Sequence, residues 1–376
     1  MLARGLLDSC HIFTGLSLRG FSVRVESNRQ EALRWLRAFM SPFFRSVSDG
    51  RGEWRAGYYC DAQAFEDLAR ALSEHPHLDI SSGLPNGRRL SHREYLVPGM
   101  RALRNDEFEA FCCAWPEQRE LLLVSRQDDE PARFYLARSV RKLAVLHHQR
   151  RGAAVLHAAA FESNGAATLA LAPIGGGKST YLLRRLLAGA RFISNDRSLL
   201  YAKDGRVMVS GLPNIITLHP GTFALFPEVR ARLERGHYRQ VRARGSDDGG
   251  RRISALQLCR LTEAPSRRSA PVGSIAFINP ELTHSRPVPP DEAQSLLRES
   301  CFDYADRRRV FFSSLYPVDP ERFRRAADSL FELLLATCDC RYEGWVMAGE
   351  EGELEENETS RLAAAVNVPS LAGGRR

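Results

Sequence analysis

Residues 166–187 set an apolar run, a cluster of glycines and an amphipathic run end to end, and few folds accommodate that order. Ala166–Leu171 reads as a buried strand. Ala172-Pro173-Ile174-Gly175-Gly176-Gly177-Lys178-Ser179 follows. Lys178–Leu187 then reads as a helix with Tyr181, Leu182 and Leu186 on its apolar face and Gly189 as its stop. Strand, glycine loop and helix in this order match a phosphate-binding loop, G-x-x-x-x-G-K-[S/T], with Ala172 where the first Gly stands. The residue types follow from the chemistry. Glycines let the backbone curl until its N–H groups face a phosphate. The helix start adds the positive end of its dipole. Lys178 reaches the β- and γ-phosphates, and the Ser179 hydroxyl ligates Mg²⁺. The expected nucleotide-binding set is Pro173, Ile174, Gly175, Gly176, Gly177, Lys178, Ser179 and Thr180, and the expected cofactors are ATP and Mg²⁺.

The basic residues add a pointer to the same loop. Of 53, only Lys142, Lys178 and Lys203 are lysine, and the other 50 are arginine. Arg replaces Lys freely on a tolerant surface, so a retained Lys marks a site that needs a compact point charge.

The next strand, 190–194, ends in Ser194-Asn195-Asp196-Arg197. Set parallel beside 166–171, it places Asp196 on the edge where ligands of α/β sheets collect. Asp196 is then a metal ligand beside Ser179, or the base that takes a proton from an attacking hydroxyl. As a bland alternative, it caps a turn. Arg197 can stabilise charge on a transferring phosphoryl group or serve as an ion-pair partner.

The run 157–222 resembles the catalytic domain of HPr kinase/phosphorylase. It is more similar still to the HPr-kinase-related proteins outside sugar-transport regulation. In that family a His precedes the strand, the glycine loop and helix follow, then a Gly, then a strand ending in an acidic pair. His157, the loop at 172–179, Gly189 and Asn195-Asp196 fall at that spacing. The resemblance implies an α/β fold, a P-loop catalytic domain with a mixed sheet, and phosphoryl transfer from a nucleotide to a hydroxyl of a protein, peptide or small molecule. It implies ATP-binding roles for Gly175, Gly177, Lys178 and Ser179 and a metal role for Asp196. The catalytic candidates are Asp196, Lys178, His157, Asn195 and Arg197, the metal candidates Ser179 and Asp196, and a homo-oligomer is expected; His157 reads equally as a satisfied histidine among small apolar residues. His219 and Thr222 are acceptor-site candidates.

Two departures matter. The family's catalytic base is the first acid of the pair, and here it is Asn195, which takes no proton at neutral pH. The family's later segment with a metal-holding Glu is replaced by 211–222, which has no acid. Either Asp196 takes over as base, or the chain is a weak or inactive nucleotide-binding regulator or scaffold.

The remainder is organised around that domain. With 376 residues, about two domains are expected. Residues 1–150 form a smaller N-terminal α+β domain of unknown role, 151–346 the P-loop domain, and 347–376, with six glutamates between Glu350 and Glu358, a disordered tail. In the first part, 21–25 and 54–59 read as strands, and Ser27-Asn28 as the cap of a helix lined by Ala32, Leu33, Leu36 and Phe39. A helix near 62–72 follows. Segments 121–125 and 134–137 read as paired strands across a polar turn. Residues 138–150 read as a helix with Val140, Leu143, Ala144 and His147 on one face, and His147-His148 as helix surface. The arginine-rich 230–252 segment reads as a solvated helix face or, as the alternative, a hold for a phosphorylated or acidic substrate, and without interleaved aromatics a nucleic-acid partner ranks last. No apolar run reaches membrane-spanning length and no signal peptide is read. Eight scattered cysteines suit free thiols in a reducing cytoplasm.

Overall fold

The computed structural model describes residues 2–344 other than 49, 51, 84–88, 174, 237–249, 281, 283, 305–311, 313 and 314. Ile174, most of the arginine-rich segment and the 347–376 tail lie outside the described residues. The protein is mixed α/β, built on two mixed sheets.

The first sheet uses β1 (Ile12–Leu18), β2 (Phe21–Ser27), β3 (Arg45–Val47), β4 (Trp54–Cys60), β5 (His77–Gly83), β6 (Arg89–Val97), β7 (Met100–Asn105), β8 (Ala110–Trp115) and β9 (Glu120–Ser125). Their order is β3-β1-β2-β4-β9-β8-β7-β6-β5. β2, β4 and β9 run parallel and the remaining pairs antiparallel. α1 (Leu2–Asp8), α2 (Gln30–Met40), α3 (Ala62–Ser73) and α4 (Glu130–Gln149) accompany it.

Three expectations are corrected here. Residues 134–137 are not a strand. They belong to α4, which starts where the Asp129 carboxylate accepts the Ala132 N–H at 2.9 Å and Pro131 occupies the first turn. β9 pairs with β4 and β8 instead. The N-cap of α2 is Arg29, whose N–H donates to Ser27 Oγ at 2.9 Å. Asn28 instead ties both the N–H and the carbonyl of Cys60. His147 and His148 are buried rather than on a surface. α4 packs on α2 and β2 from one side and on β10 of the second half from the other. A helix covered on several sides has almost no solvent face.

The second half contains β10 (Ala154–Leu156), β11 (Ala158–Ser163), β12 (Ala166–Leu171), α5 (Lys178–Leu187), β13 (Arg191–Ser194), β14 (Ser198–Lys203), β15 (Arg206–Gly211), β16 (Ile216–Leu218), α6 (Pro220–Leu225), α7 (Pro227–Arg235) and β17 (Arg251–Ile253). It continues with α8 (Ala255–Thr262), β18 (Ser269–Ile278), β19 (Arg286–Pro287), α9 (Pro290–Ser300), α10 (Pro320–Thr337) and β20 (Asp339–Glu343). The sheet order is β10-β14-β15-β18-β12-β11-β13, with β20 beside β18. One cluster of buried apolar side chains takes members from both halves, Phe21, Leu36, Leu143, Phe192, Leu258 and Tyr316 among them.

The expected pairing of 190–194 beside 166–171 is also corrected. β11 lies between β12 and β13 and is antiparallel to both. Two reversals restore the direction, so β12 and β13 still point the same way and end on the same edge. Ala158 faces Leu171, and Ala160 faces Ser194. The start of β11 is thus flanked by the ends of its two neighbours. The sheet's first and last strands in spatial order, β10 and β13, also send short links across: His157 alone joins β10 to β11, and Asn195-Asp196-Arg197 joins β13 to β14.

Candidate functional site

The site forms where these links meet the glycine loop. The loop's shape follows from its glycines at two positions. Gly177 stands at φ 89° as the N-cap of α5, a backbone conformation that costs other residues energy. Gly176 donates its N–H to Pro173 O at 3.0 Å, and a Cβ there would lie 2.9 Å from the Ala172 Cβ. The first intrahelical bond of α5 is Tyr181 N–H to Gly177 O, 2.8 Å. The amides of Lys178, Ser179 and Thr180 precede it and point out of the helix start, where an anion can accept them. At its far end α5 closes in a Schellman motif, with Ala190 N–H on Arg185 O and Gly189 N–H on Leu186 O, both 3.0 Å. Tyr181 bonds Glu343 of β20, which fixes the helix on the sheet.

Lys178 is buried at 7% exposure. Its Nζ donates to Ala172 O at 2.7 Å and Pro173 O at 3.1 Å, which holds the ammonium over the loop. Burial lowers its pKa, and the charge of Asp196 opposes that.

Asp196 is bonded through both oxygens. His157 Nε2 lies 2.7 Å from Oδ1, and Asn214 Nδ2 donates to Oδ2 at 3.1 Å. Burial acts to raise the carboxyl's pKa. The bond and charge of His157, with the charges of Arg197 and Lys178, outweigh it and hold the group below the ordinary carboxylate range. A carboxylate kept ionised in this way is a better cation ligand than base. The backbone of His157 is itself held, its main-chain N–H donating to Ser300 O at 2.8 Å.

The turn carrying Asp196 is tight. Ser194 Oγ donates to Arg197 O at 2.9 Å, and Leu212 N–H to the same oxygen at 3.0 Å. Gly211 lets the following loop press against β13, since a Cβ there would sit 2.0 Å from Ile193 O. That approach delivers Asn214 to Asp196. Asn195 Oδ1 is buried without a hydrogen-bond partner. Arg197 makes no ion pair among the described residues. Its guanidinium lies 4.3 Å from the Phe302 ring centroid, and its Nε is buried and unpartnered.

Thr222 approaches from α6, its hydroxyl 3.3 Å from that of Thr180. His219 caps α6 with no side-chain bond and is exposed. Arg230 pairs with Glu234, and Arg232 with Leu261 O and Glu263. A cavity of about 540 Å³ opens beside the loop at the ends of β12 and β18, lined by His157, Ala172, Gly176, Phe277 and Tyr342.

Among the described residues, no three His, Cys, Asp or Glu side chains converge on a metal position. A Mg²⁺ carried by phosphates needs fewer protein ligands. The Ser179 hydroxyl, the ionised Asp196 and the orphaned Asn195 oxygen suit such an ion.

Sequence reasoning missed two residues of this constellation. Asn214 was legible only as part of a segment without acids. Arg141, on α4, donates from Nη1 to Pro213 O at 2.5 Å and to Asn214 Oδ1 at 3.0 Å. Nothing in the sequence distinguishes it from the other arginines. Compared with family models and with curated proteins, the chain finds no match. Among the described residues no helix is long and apolar enough to cross a membrane, and the cysteines form no disulfide.

Proposed function

We propose that the chain is an ATP- and Mg²⁺-dependent kinase of the HPr-kinase-like type, acting on a hydroxyl of a protein, peptide or small molecule. The observation that supports this best is the shared edge. The glycine loop with Lys178 and the Asp196–His157 pair stand at the ends of β12 and β13, which point the same way. Loop amides and Lys178 hold the β- and γ-phosphates and neutralise charge that spreads over the transferring group. The acceptor oxygen bonds to the γ-phosphorus as the bond from that phosphorus to the ADP oxygen breaks. Asp196, held ionised, orients the acceptor hydroxyl, whose proton is released to bulk water as the phosphoryl group transfers, and ADP leaves with the bonding electrons. Ser179 and Asp196 would hold Mg²⁺, which supplies positive charge against the phosphates when bound. Cysteines without disulfides suit a reducing cytoplasm.

The test is γ-labelled ATP with an extract of candidate acceptors, comparing the parent with Lys178→Ala. Label transfer lost in the variant supports the kinase, and equal transfer refutes it. One observation favours a second reading, a nucleotide-binding scaffold: Asn195 stands where the resembled family has its base. Stoichiometric nucleotide uptake with no label transfer, gained on Asn195→Asp, would point there.

A further inference from the structure

Helix α4 belongs to the first half, yet it delivers charge to the site of the second. Arg138 and Arg141 lie one turn apart on it, and so face the same way. Arg141 is buried at 7% exposure, and both of its hydrogen bonds leave from Nη1. Neither acceptor is charged. Arg197 is stacked on Phe302 with its Nε buried and bare. Arg138 is exposed and makes no ion pair among the described residues.

The charge balance around this point is unusual. Arg141, Arg197 and the Lys178 ammonium act on one carboxylate, Asp196, whose two oxygens already serve His157 and Asn214, and Arg138 adds its charge beside Arg141 and Arg197. Asp303, the other acid nearby, receives Lys142 and Gln149, each at 3.2 Å. Arg141, Arg197 and Arg138 repel one another: burial and that repulsion push Arg141 and Arg197 below the usual arginine value, with only Asp196 and Asp303 opposing. Removing a cation from water without a counter-charge costs several kcal/mol. A purely structural Arg141 would explain the bonds to Pro213 and Asn214. It would not explain a second guanidinium whose buried Nε has no hydrogen-bond partner, nor a third cation beside it.

We propose that Arg138, Arg141 and Arg197 form an oxyanion subsite, separate from the glycine loop, that holds a carboxylate or phosphate carried by the acceptor itself. The inference rests on the kinase reading for the word acceptor. It narrows the substrate to a hydroxyl compound with its own anionic group. Guanidinium forks suit both planar carboxylate and tetrahedral phosphate. Asp196 and Asn214 stand between this subsite and Lys178, as the chain Arg141–Asn214–Asp196 shows. The site is also incomplete without the first half, which gives residues 1–150 a role in substrate binding.

The probe is inorganic phosphate, titrated calorimetrically into the full chain saturated with Mg²⁺ and a non-hydrolysable ATP analogue. One equivalent of phosphate is expected to bind. Arg138→Gln and Arg141→Gln are each expected to weaken it about tenfold or more while analogue affinity changes less than about threefold. Arg138 is exposed, so its variant stays informative if the Arg141 variant fails to fold. Acetate competing with the phosphate favours a carboxylate acceptor, and failure to compete a phosphorylated one; both fit the subsite. No phosphate binding to the loaded protein, or binding indifferent to Arg138→Gln, overturns it. Phosphate titrated into Lys178→Ala without nucleotide separates the two claims. One arginine-dependent equivalent there upholds the subsite even if the parent binds no ATP analogue, a result that would sink the kinase reading alone.

Discussion

His157 Nε2 and Asp196 Oδ1 lie 2.7 Å apart although 38 residues of chain separate them. The contact exists because each residue sits in a short link between strands of one sheet, and the antiparallel strand β11 brings the links side by side. Asn214 secures the opposite oxygen. Asp196→Asn should leave the backbone turn intact, since Ser194 and Leu212 hold it through Arg197 O. It should lower phosphoryl transfer by about 100-fold or more, with nucleotide affinity less affected. Comparing kcat with analogue affinity checks the split.

Ala172 occupies the position where phosphate-binding loops carry glycine, and its Cβ faces Gly176. Gly176→Ala would place two methyl carbons 2.9 Å apart and a second contact on Pro173 O at 3.1 Å. The loop must then shift, and ATP affinity is expected to fall about tenfold or more. The double variant Ala172→Gly with Gly176→Ala removes one of the clashing carbons and should recover part of that loss. A binding titration of the single and double variants decides it.

Gly211 is required for a different reason, the approach of its loop to Ile193 O. Gly211→Ala is expected to destabilise the fold by about 3 kcal/mol, because the new methyl would meet Ile193 O and the ring of Phe43, both residues buried. Urea melts would measure this. The same variant should raise the proton demand on Asp196 by moving Asn214, seen as a shifted acid limb of the activity profile.

His148 gives the clearest pH dependence. Burial, followed by the neighbouring His147, pushes its pKa down to about 4, and its Nε2 donates to Leu18 O at 3.2 Å. The unfolded chain binds that proton near pH 6.5, the folded chain only near 4, so acid favours unfolding. The stabilisation is complete above about pH 6.5 and is lost as pH falls toward 4, on the order of 3 kcal/mol at most. His148→Gln keeps a donor without the titration, and should flatten stability between those values. An unchanged slope in thermal melts across that range would refute the assignment.

Legibility followed the local signals. β12 and α5 were readable because apolar residues and glycines bound them sharply, and Lys178 because lysine is rare here. The four-residue run 134–137 misled because so short an apolar stretch fits helix and strand alike, and the capping Asp129 lay inside what looked like a turn. The meander β5–β8 stayed hidden because polar residues interrupt much of it. Arg141 was invisible for a compositional reason. In a chain with 50 arginines, a buried guanidinium looks no different from a solvated one until tertiary structure covers it. His157 and Asp196 were singled out separately, but their contact depends on β11 lying between β12 and β13, a topology no local pattern encodes.

The central claim is that the glycine loop and Lys178 hold a triphosphate. Calorimetric titration of Mg²⁺ and a non-hydrolysable ATP analogue into the parent, Lys178→Ala and Lys178→Arg tests it most directly. The account predicts one equivalent bound by the parent and at least about a 100-fold loss in both variants, at unchanged melting temperature, since a planar fork cannot replace the ammonium over the loop. No binding by the parent, or equal affinity in Lys178→Ala, would contradict it.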